Sequence, residues 1–278
     1  MPSTPTTSAV WDDQLLKSPH AAADKRQRVQ KMFAAIAPSY DLNNRLHSLW
    51  MDQRWRTKVV QLADVKRTDT VVDIACGTGD LTLKFAQELY WASDESDGHP
   101  EPFRGQVIGI DLTYQMLPIA RRKALTAYVP DEWLDSPSPI SRTTAWVNGD
   151  ALSLPLPDAS ADVLSIAFGI RNVSDPAAAI REFYRVLRPG GRLIILEFSL
   201  PTNPVLRGLY NFYFRKILPR TATLISGDKT GAYKYLPESV NTFINREAMM
   251  QMMTAAGFGA VTPRPMTFGV CVCYRGTK

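Results

Sequence analysis

The stretch Thr70-Val-Val-Asp-Ile-Ala-Cys-Gly-Thr-Gly-Asp-Leu-Thr82 constrains this 278-residue chain more than any other. Val71, Val72, Ile74 and Ala75 form a short apolar run of the kind that suits a strand buried on both faces. The run breaks at Gly77-Thr78-Gly79, and a helical stripe of Leu81, Phe85, Ala86 and Leu89 begins. Strand, glycine turn and helix bring a ligand against bare backbone. Glycine permits the sharp turn and removes the side chain that would block approach. The free N–H groups of the helix start favour anionic or hydrogen-bond-accepting ligands.

The pattern departs from the dinucleotide fingerprint, because Thr82 occupies the third glycine position. Asp73 sits inside the strand and Asp80 follows the glycines. Carboxylates on both flanks suit a pyrophosphate poorly, since like charges repel. A ligand with cationic or hydroxyl-rich parts suits them better. S-adenosylmethionine has an ammonium, a sulfonium, a ribose diol and an adenine amine. A nicotinamide-dependent oxidoreductase shares the fold logic, but the missing glycine and the acid-flanked turn count against it.

The rest of the chain supplies the partners of that turn. Residues 1–23 are rich in Ser, Thr, Pro and Ala and read as a disordered tail. Residues 24–66 read as a helical cap, with Val29, Met32, Phe33 and Ile36 on one stripe before Pro38 and a second helical region from Leu46 to Leu62. Val107-Ile-Gly-Ile-Asp111 is a second strand ending in a carboxylate placed to accept from both ribose hydroxyls. Ala145-Trp-Val-Asn-Gly-Asp150 is a third, whose Asp150 can accept from the adenine amine. Asp162–Phe168 is the fourth strand, and Leu193–Leu196 the fifth. Between those two, Asp175-Pro176 starts a helix with Ile180, Phe183, Tyr184 and Leu187 on its buried stripe. A Met-rich helix from Arg246 to Ala256 precedes strands at Gly259–Arg264 and Thr267–Arg275, too close together for a crossover. Residues 91–105 and 130–142 read as surface insertions. The expectation is an α/β, doubly wound, mostly parallel seven-stranded sheet with one antiparallel edge strand, an N-terminal helical cap and an inserted lid region over 200–243, all in a single domain spanning 24–278.

Composition removes other classes. The excess of Lys+Arg over Asp+Glu is 32 − 27 = +5, but the basic residues are scattered and no nucleic-acid module is visible. Cys76, Cys271 and Cys273 are an odd, sparse set, which argues against a disulfide framework and for a reducing compartment. With only His20, His47 and His99 beside them, a metal site is not expected.

Five segments together resemble the class I S-adenosylmethionine-dependent methyltransferases, and more narrowly the quinone-biosynthesis C-methyltransferases that act on demethylmenaquinol or the ubiquinone precursor. They are Phe33-Ala-Ala-Ile-Ala-Pro-Ser-Tyr-Asp41, Asp73-Ile-Ala-Cys-Gly-Thr-Gly-Asp80, Phe168-Gly-Ile-Arg-Asn172, Arg188-Pro-Gly-Gly191 with Glu197-Phe-Ser199, and Tyr233-Lys-Tyr-Leu-Pro-Glu-Ser239. The Gly-Ile-Arg-Asn and Tyr-x-Tyr-Leu-x-x-Ser segments are the more specific ones; the glycine motif is common to many methyltransferases. The resemblance implies cofactor contacts at Thr78, Asp111, Asp150, Ala151 and Ser165, beside Asp73, Gly77 and Gly79 of the turn itself. It implies catalytic roles for Arg171, Asn172 and Tyr40, with Asp111 sharing in both sets.

The implied reaction is methylation of a quinol ring carbon, most directly demethylmenaquinol to menaquinol, with a benzoquinol precursor as the alternative. The implied partners are a polyprenyl quinol, a membrane surface met peripherally and a second copy of the chain in a homodimer, with no nucleic acid. The implied location is cytoplasmic, at the inner face of the membrane. The aromatic and basic stretch Leu206–Arg220 reads either as a core-facing helix or as a lid that admits a polyprenyl tail at a lipid surface.

Overall fold

Helical stripes alternating with short apolar runs build the layers that the sequence calls for. A computed structural model describes residues 10–91, 105–127 and 139–278. Helices α1 (Lys25–Ile36), α2 (Tyr40–Ser48) and α3 (Met51–Ala63) come first. Then follow β1 (Thr70–Ile74), α4 (Asp80–Trp91), β2 (Gln106–Asp111), α5 (Leu117–Leu125), α6 (Pro139–Thr143), β3 (Thr144–Asn148), β4 (Ala161–Ala167), α7 (Pro176–Val186) and β5 (Leu187–Phe198). Helices α8 (Pro204–Phe212) and α9 (Leu218–Ser226) flank a π turn (Tyr213–Ile217), and α10 (Ala232–Asn241) and α11 (Arg246–Ala255) lead into β6 (Gly259–Met266) and β7 (Cys271–Thr277).

The sheet has seven strands in the order β3-β2-β1-β4-β5-β7-β6. Pairings among β1 to β5 are parallel, and β7 runs antiparallel to both β5 and β6. The Thr267–Gly269 turn is too short to cross the sheet, so β6 and β7 form a hairpin at one edge, with β7 on its inner side. Central strands are apolar on both faces because both faces are covered. Val72, Leu164 and Ile166 pack under Phe183 of α7 and Met253 of α11, while Val71 and Val163 pack under Val59 of α3 and Phe85 of α4. Cys271 and Cys273 belong to the second of these cores, buried and unbonded. Asp162 starts β4 in an ion pair with Arg188 (2.6 Å), away from the strand ends that carry the site.

Chain order reverses between β1 and β4: β2 and β3 lie on one side of β1, and β4 and β5 on the other. A crevice opens at the carboxyl ends of the strands at such a switch point. The cap fills the space above it. A third core joins Met32 and Ile36 of α1, Phe214 and Leu218 of the π turn and α9, and Tyr235 of α10.

Three segments differ from the sequence expectation or extend it. Residues 10–23 are not a tail, because Trp11 is 1% exposed and stacks on Tyr235 with ring centroids 4.4 Å apart. Composition missed this because the segment is anchored by one aromatic ring and Leu16 rather than by a periodic stripe. Residues 139–143 of the second insertion form α6, with Ile140 buried; the rest of that insertion, 92–104 of the first, and residues 1–9 lie outside the described residues. Asp150 stands beyond the end of β3, in an isolated bridge with Ser153.

Candidate functional site

Four strand ends meet over β1 and line a cavity of about 100 Å³ with Tyr40, Gly77, Asp111, Asp150, Ala151 and Asn172 among its walls. Gly77 has φ +56°, and a Cβ there would meet only a Tyr40 ring carbon at 3.9 Å, so the backbone is bare toward the cavity. Asp111 Oδ2 accepts from the Gly77 N–H (2.7 Å) and Oδ1 from the Thr113 N–H (2.7 Å). Burial pushes the Asp111 carboxyl above its ordinary pKa, against those backbone donors. Each of its oxygens keeps a second lone-pair site for a ligand hydroxyl. Asp150 accepts from the Leu152 N–H (3.0 Å) and from Arg26 of α1 (2.8 Å). Two carboxylates, with Arg26 already paired to one of them, fit a cationic, hydroxyl-bearing ligand such as S-adenosylmethionine and oppose a pyrophosphate.

Four expected cofactor residues do not line this cavity. Asp73 lies beneath it, accepting from the hydroxyls of Thr82 (2.6 Å) and Ser165 (2.7 Å). Burial raises the Asp73 carboxyl to about 6, against those two hydroxyl donors. These bonds tie β1, β4 and the start of α4 together, and they account for the missing third glycine: the Thr82 hydroxyl is occupied in the tie. Thr78 donates to Asp41 of α2 (2.5 Å). Lys123 of α5 bonds Asp41 (3.0 Å) and also Asp80, which takes Arg45 as well (2.9 Å). Burial disfavours the ionised Asp80, but Arg56, Lys123 and Arg45 outweigh it and hold the carboxyl at about 2. Thr78 and Asp80 therefore fasten the glycine turn to the cap. Gly79, at φ +84°, packs under the Trp146 ring, where a Cβ would come within 2.6 Å.

A second, larger cavity of about 420 Å³ adjoins the first; Phe33, Tyr40 and Phe168 line both. Its walls are aromatic: Phe168 and Phe198 lie 4.5 Å apart, Tyr210 stacks on Phe214 at 4.2 Å, and Trp55 stands 6.0 Å from Phe168. The hydroxyl of Tyr210 is buried there without a hydrogen-bond partner among the described residues, so a polar group on a bound molecule would satisfy it. Arg171 enters from the turn after β4, 4% exposed. It donates to Glu197 of β5 (2.7 Å), the Phe168 carbonyl (2.6 Å) and Ser239 of α10 (3.3 Å). Asn172 points to the smaller cavity, its Oδ1 accepting from Tyr235 (2.9 Å). Burial raises the Tyr40 phenol, so it stays protonated at neutral pH.

Sequence reasoning did not single out Phe33, Phe168, Glu197 or Lys25 as site residues. Phe168 sits at φ +57° and Ala75, at the end of the neighbouring strand, at φ +51°. Left-handed backbone at two adjacent strand ends is strain held by the surroundings. Gly169 permits it, since a Cβ there would lie 2.6 Å from that of Ala75. Glu197 stood in a quoted motif, but only the fold shows that it reaches the Arg171 guanidinium. No sequence signal marks Lys25.

The fold is that of solved S-adenosylmethionine-dependent methyltransferases. One from Thermotoga maritima, described as a possible histamine N-methyltransferase, superposes with a TM-score of 0.56 at 21% identity, over 89% of this chain and 98% of that one. Closer relatives appear in sequence. The chain is 42% identical over 247 residues to the demethylmenaquinone methyltransferase of Thermus thermophilus, covering 89% of this chain and all of that protein. It is 37% identical over 259 residues to the ubiquinone/menaquinone biosynthesis C-methyltransferase UbiE of a Geobacter species, covering 93% of this chain and all of that protein. The family model described as ubiE/COQ5 methyltransferase matches residues 21–278. With the acid-lined cavity joined to an aromatic one, these matches establish that the chain belongs to the ubiE/COQ5 methyltransferase family.

Proposed function

We propose that this enzyme methylates a ring carbon of a polyprenyl quinol at the expense of S-adenosylmethionine, with demethylmenaquinol as the preferred acceptor and a benzoquinol precursor as the second. The observation that carries the reading is the shared wall. An acid-lined cavity and an aromatic one meet at Phe33, Tyr40 and Phe168. Asp111, Asp150 and the bare Gly77 backbone would hold S-adenosylmethionine, whose sulfonium would supply an electrophilic methyl group. The acceptor ring lies among Phe168, Phe198 and Tyr210.

Positioning and exclusion of water carry most of such a reaction. An oxidised quinone carbon is electron-poor and does not attack. A quinol that has lost a hydroxyl proton to water pushes electron density onto the neighbouring ring carbon; that carbon bonds the methyl group as the S–CH3 bond breaks, and then gives up its own proton to water to restore the aromatic ring. A guanidinium is a poor proton acceptor, so Arg171 acts as the electrostatic partner of the quinolate rather than as a base. Tyr40 donates to a quinol oxygen from the shared wall, and Asn172 faces the methyl donor from the smaller cavity. An in vitro assay with both reduced head groups tests the acceptor. A higher kcat/KM for the naphthoquinol is expected, and the reverse order would reassign the enzyme to the benzoquinol.

The acceptor's tail implies a lipid surface. Among the described residues no helix is long and apolar enough to cross a membrane. Helices α8 and α9 and the π turn between them expose Val205, Leu209, Phe212, Ile217 and Leu224. Those positions share a stripe because the π turn adds a residue between Phe212 and Ile217. Residues 204–226 hold Arg207, Arg215, Lys216 and Arg220 and no acid. At the neighbouring corner Leu49 and Trp50 both have positive φ and both are exposed, and Leu49 also lines the aromatic cavity. An anionic bilayer suits this combination, since apolar side chains enter the interface and each cation near it adds about 1 kcal/mol. Cosedimentation with phosphatidylglycerol vesicles should fall at least tenfold in a Leu209→Glu/Leu224→Glu variant; equal binding by both proteins would remove the membrane contact.

A further inference from the structure

Lys25 is the first residue of α1, with its side chain enclosed at 2% exposure. That is a poor place for a cation. A helix start carries partial positive charge, and burial strips the ammonium of water. Its Nζ donates instead to two backbone carbonyls, Arg171 O at 2.8 Å and Val173 O at 2.7 Å. Those carbonyls bracket Asn172.

The short turn Ile170–Asn172 is otherwise held from two directions. Glu197 of β5 accepts from the Arg171 backbone N–H (3.3 Å) and guanidinium, and Tyr235 of α10 donates to Asn172. Both of those contacts fix side chains or a single N–H. Lys25 is the group that grips the carbonyl side of the turn from the cap. The same helix reaches the cofactor cavity through Arg26 to Asp150 (2.8 Å) and through Gln30, which donates to the Leu112 carbonyl (2.9 Å). Helix α1 thus touches the rim of the cofactor cavity with one set of side chains and the catalytic turn with another.

We infer that Lys25 is a positioning residue for methyl transfer: by gripping the Arg171 and Val173 carbonyls it sets how Arg171 faces the acceptor cavity and Asn172 the cofactor cavity. The inference rests on the proposed use of those two cavities. Other charges around it do not replace it. His20 bonds the Ser239 carbonyl (2.9 Å) and also faces the Arg171 backbone, Arg171 is paired to Glu197, and Asp24, just before the helix, is paired to Arg28. Burial first, and then the charge of Arg171, lower the Lys25 ammonium from 10.5 to about 8. The grip therefore weakens on the alkaline side, where a neutral amine is a poorer donor than an ammonium.

The test combines hydrogen–deuterium exchange with kinetics on the full chain, comparing wild type, Lys25→Met and Lys25→Arg. In Lys25→Met, exchange of the peptide spanning 168–174 should rise at least tenfold while peptides over β1 and α7 stay unchanged. Turnover should fall tenfold to a hundredfold, with a change in KM for the quinol below threefold, because a displaced catalytic turn costs rate rather than binding. The wild-type kcat profile should carry an alkaline limb near pH 8 that Lys25→Met lacks, and Lys25→Arg should recover part of the rate. Unchanged exchange at 168–174 overturns the inference even if the acceptor has been misassigned, since exchange needs no substrate. Exchange that rises everywhere, with rate and affinity falling together, shows a merely structural lysine and overturns it as well.

Discussion

Replacing Arg171 by Ala separates the two jobs that its guanidinium does. The substitution removes donors to Glu197, to the Phe168 carbonyl and to Ser239. Among the described residues it leaves the Glu197 carboxylate, 2% exposed, with only the backbone N–H groups of Arg171 (3.3 Å) and Phe198 (2.8 Å). Breaking a buried pair from one side costs about 3–5 kcal/mol, a large part of the roughly 5–15 kcal/mol that holds a domain folded. At about 2–4 °C per kcal/mol for a chain of this size, Tm should drop by roughly 6–20 °C. Arg171→Ala/Glu197→Gln removes the stranded charge and should recover more than half of that loss in urea titrations. Turnover behaves differently. Both variants lack the electrostatic partner of the quinolate, so both should lose about 10²–10³ in kcat. S-adenosylmethionine affinity, read by calorimetry, should change little, because Arg171 does not line the cofactor cavity. A single variant that loses less than about 1 kcal/mol, or a double variant that recovers nothing, would refute the buried pair. Proportional losses in turnover and cofactor affinity would refute the catalytic role.

Two glycines at similar positive φ offer a control on packing. Gly79→Ala forces a Cβ to φ +84° and to within 2.6 Å of the Trp146 ring, whereas Gly190→Ala at φ +79° meets nothing within 4 Å. Left-handed strain of about 1–2 kcal/mol applies to both, and overpacking of about 1–3 kcal/mol to the first alone; equal losses in a melt would contradict the contact. Asp73→Asn tests the tie beneath the turn. Burial holds the folded carboxyl at about 6, above its unfolded value of 3.8, so the ionised form is penalised in the fold. The penalty is full above pH 6, is relieved as pH falls through the folded value, and is gone below the unfolded one. The Asn variant should gain up to about 3 kcal/mol over wild type at pH 7, fading toward pH 4, and a gain that grows in acid would sink the argument.

The sheet was legible because its strands announce themselves. Val71-Val72 and Leu193–Leu196 are buried on both faces, Val107 is buried beside a half-buried Ile108, and continuous apolar runs say so directly. Strand-end acids were legible too, since Asp111 and Asp150 do reach the cavity. The protein partners of the other expected cofactor side chains were not. Asp73 and Ser165 look like cofactor residues in the motif but bond each other beneath it at 2.7 Å. Thr78 turns away to Asp41, 37 residues earlier. These choices depend on pairings distant in sequence, which periodicity does not report. The same holds for the packing of Trp11 on Tyr235 and for Lys25 against the Arg171 turn.

The redox state of the acceptor tests the proposed reaction most directly. Methyl-labelled S-adenosylmethionine is incubated with the enzyme and a demethylated polyprenyl naphthoquinone, with and without a chemical reductant, under strict exclusion of air. Label should appear on a ring carbon only when the acceptor is reduced, and at a rate that falls by about 10²–10³ in Arg171→Ala. Equal labelling of oxidised and reduced acceptor, or label on oxygen, would contradict attack by a quinolate carbon beside Arg171.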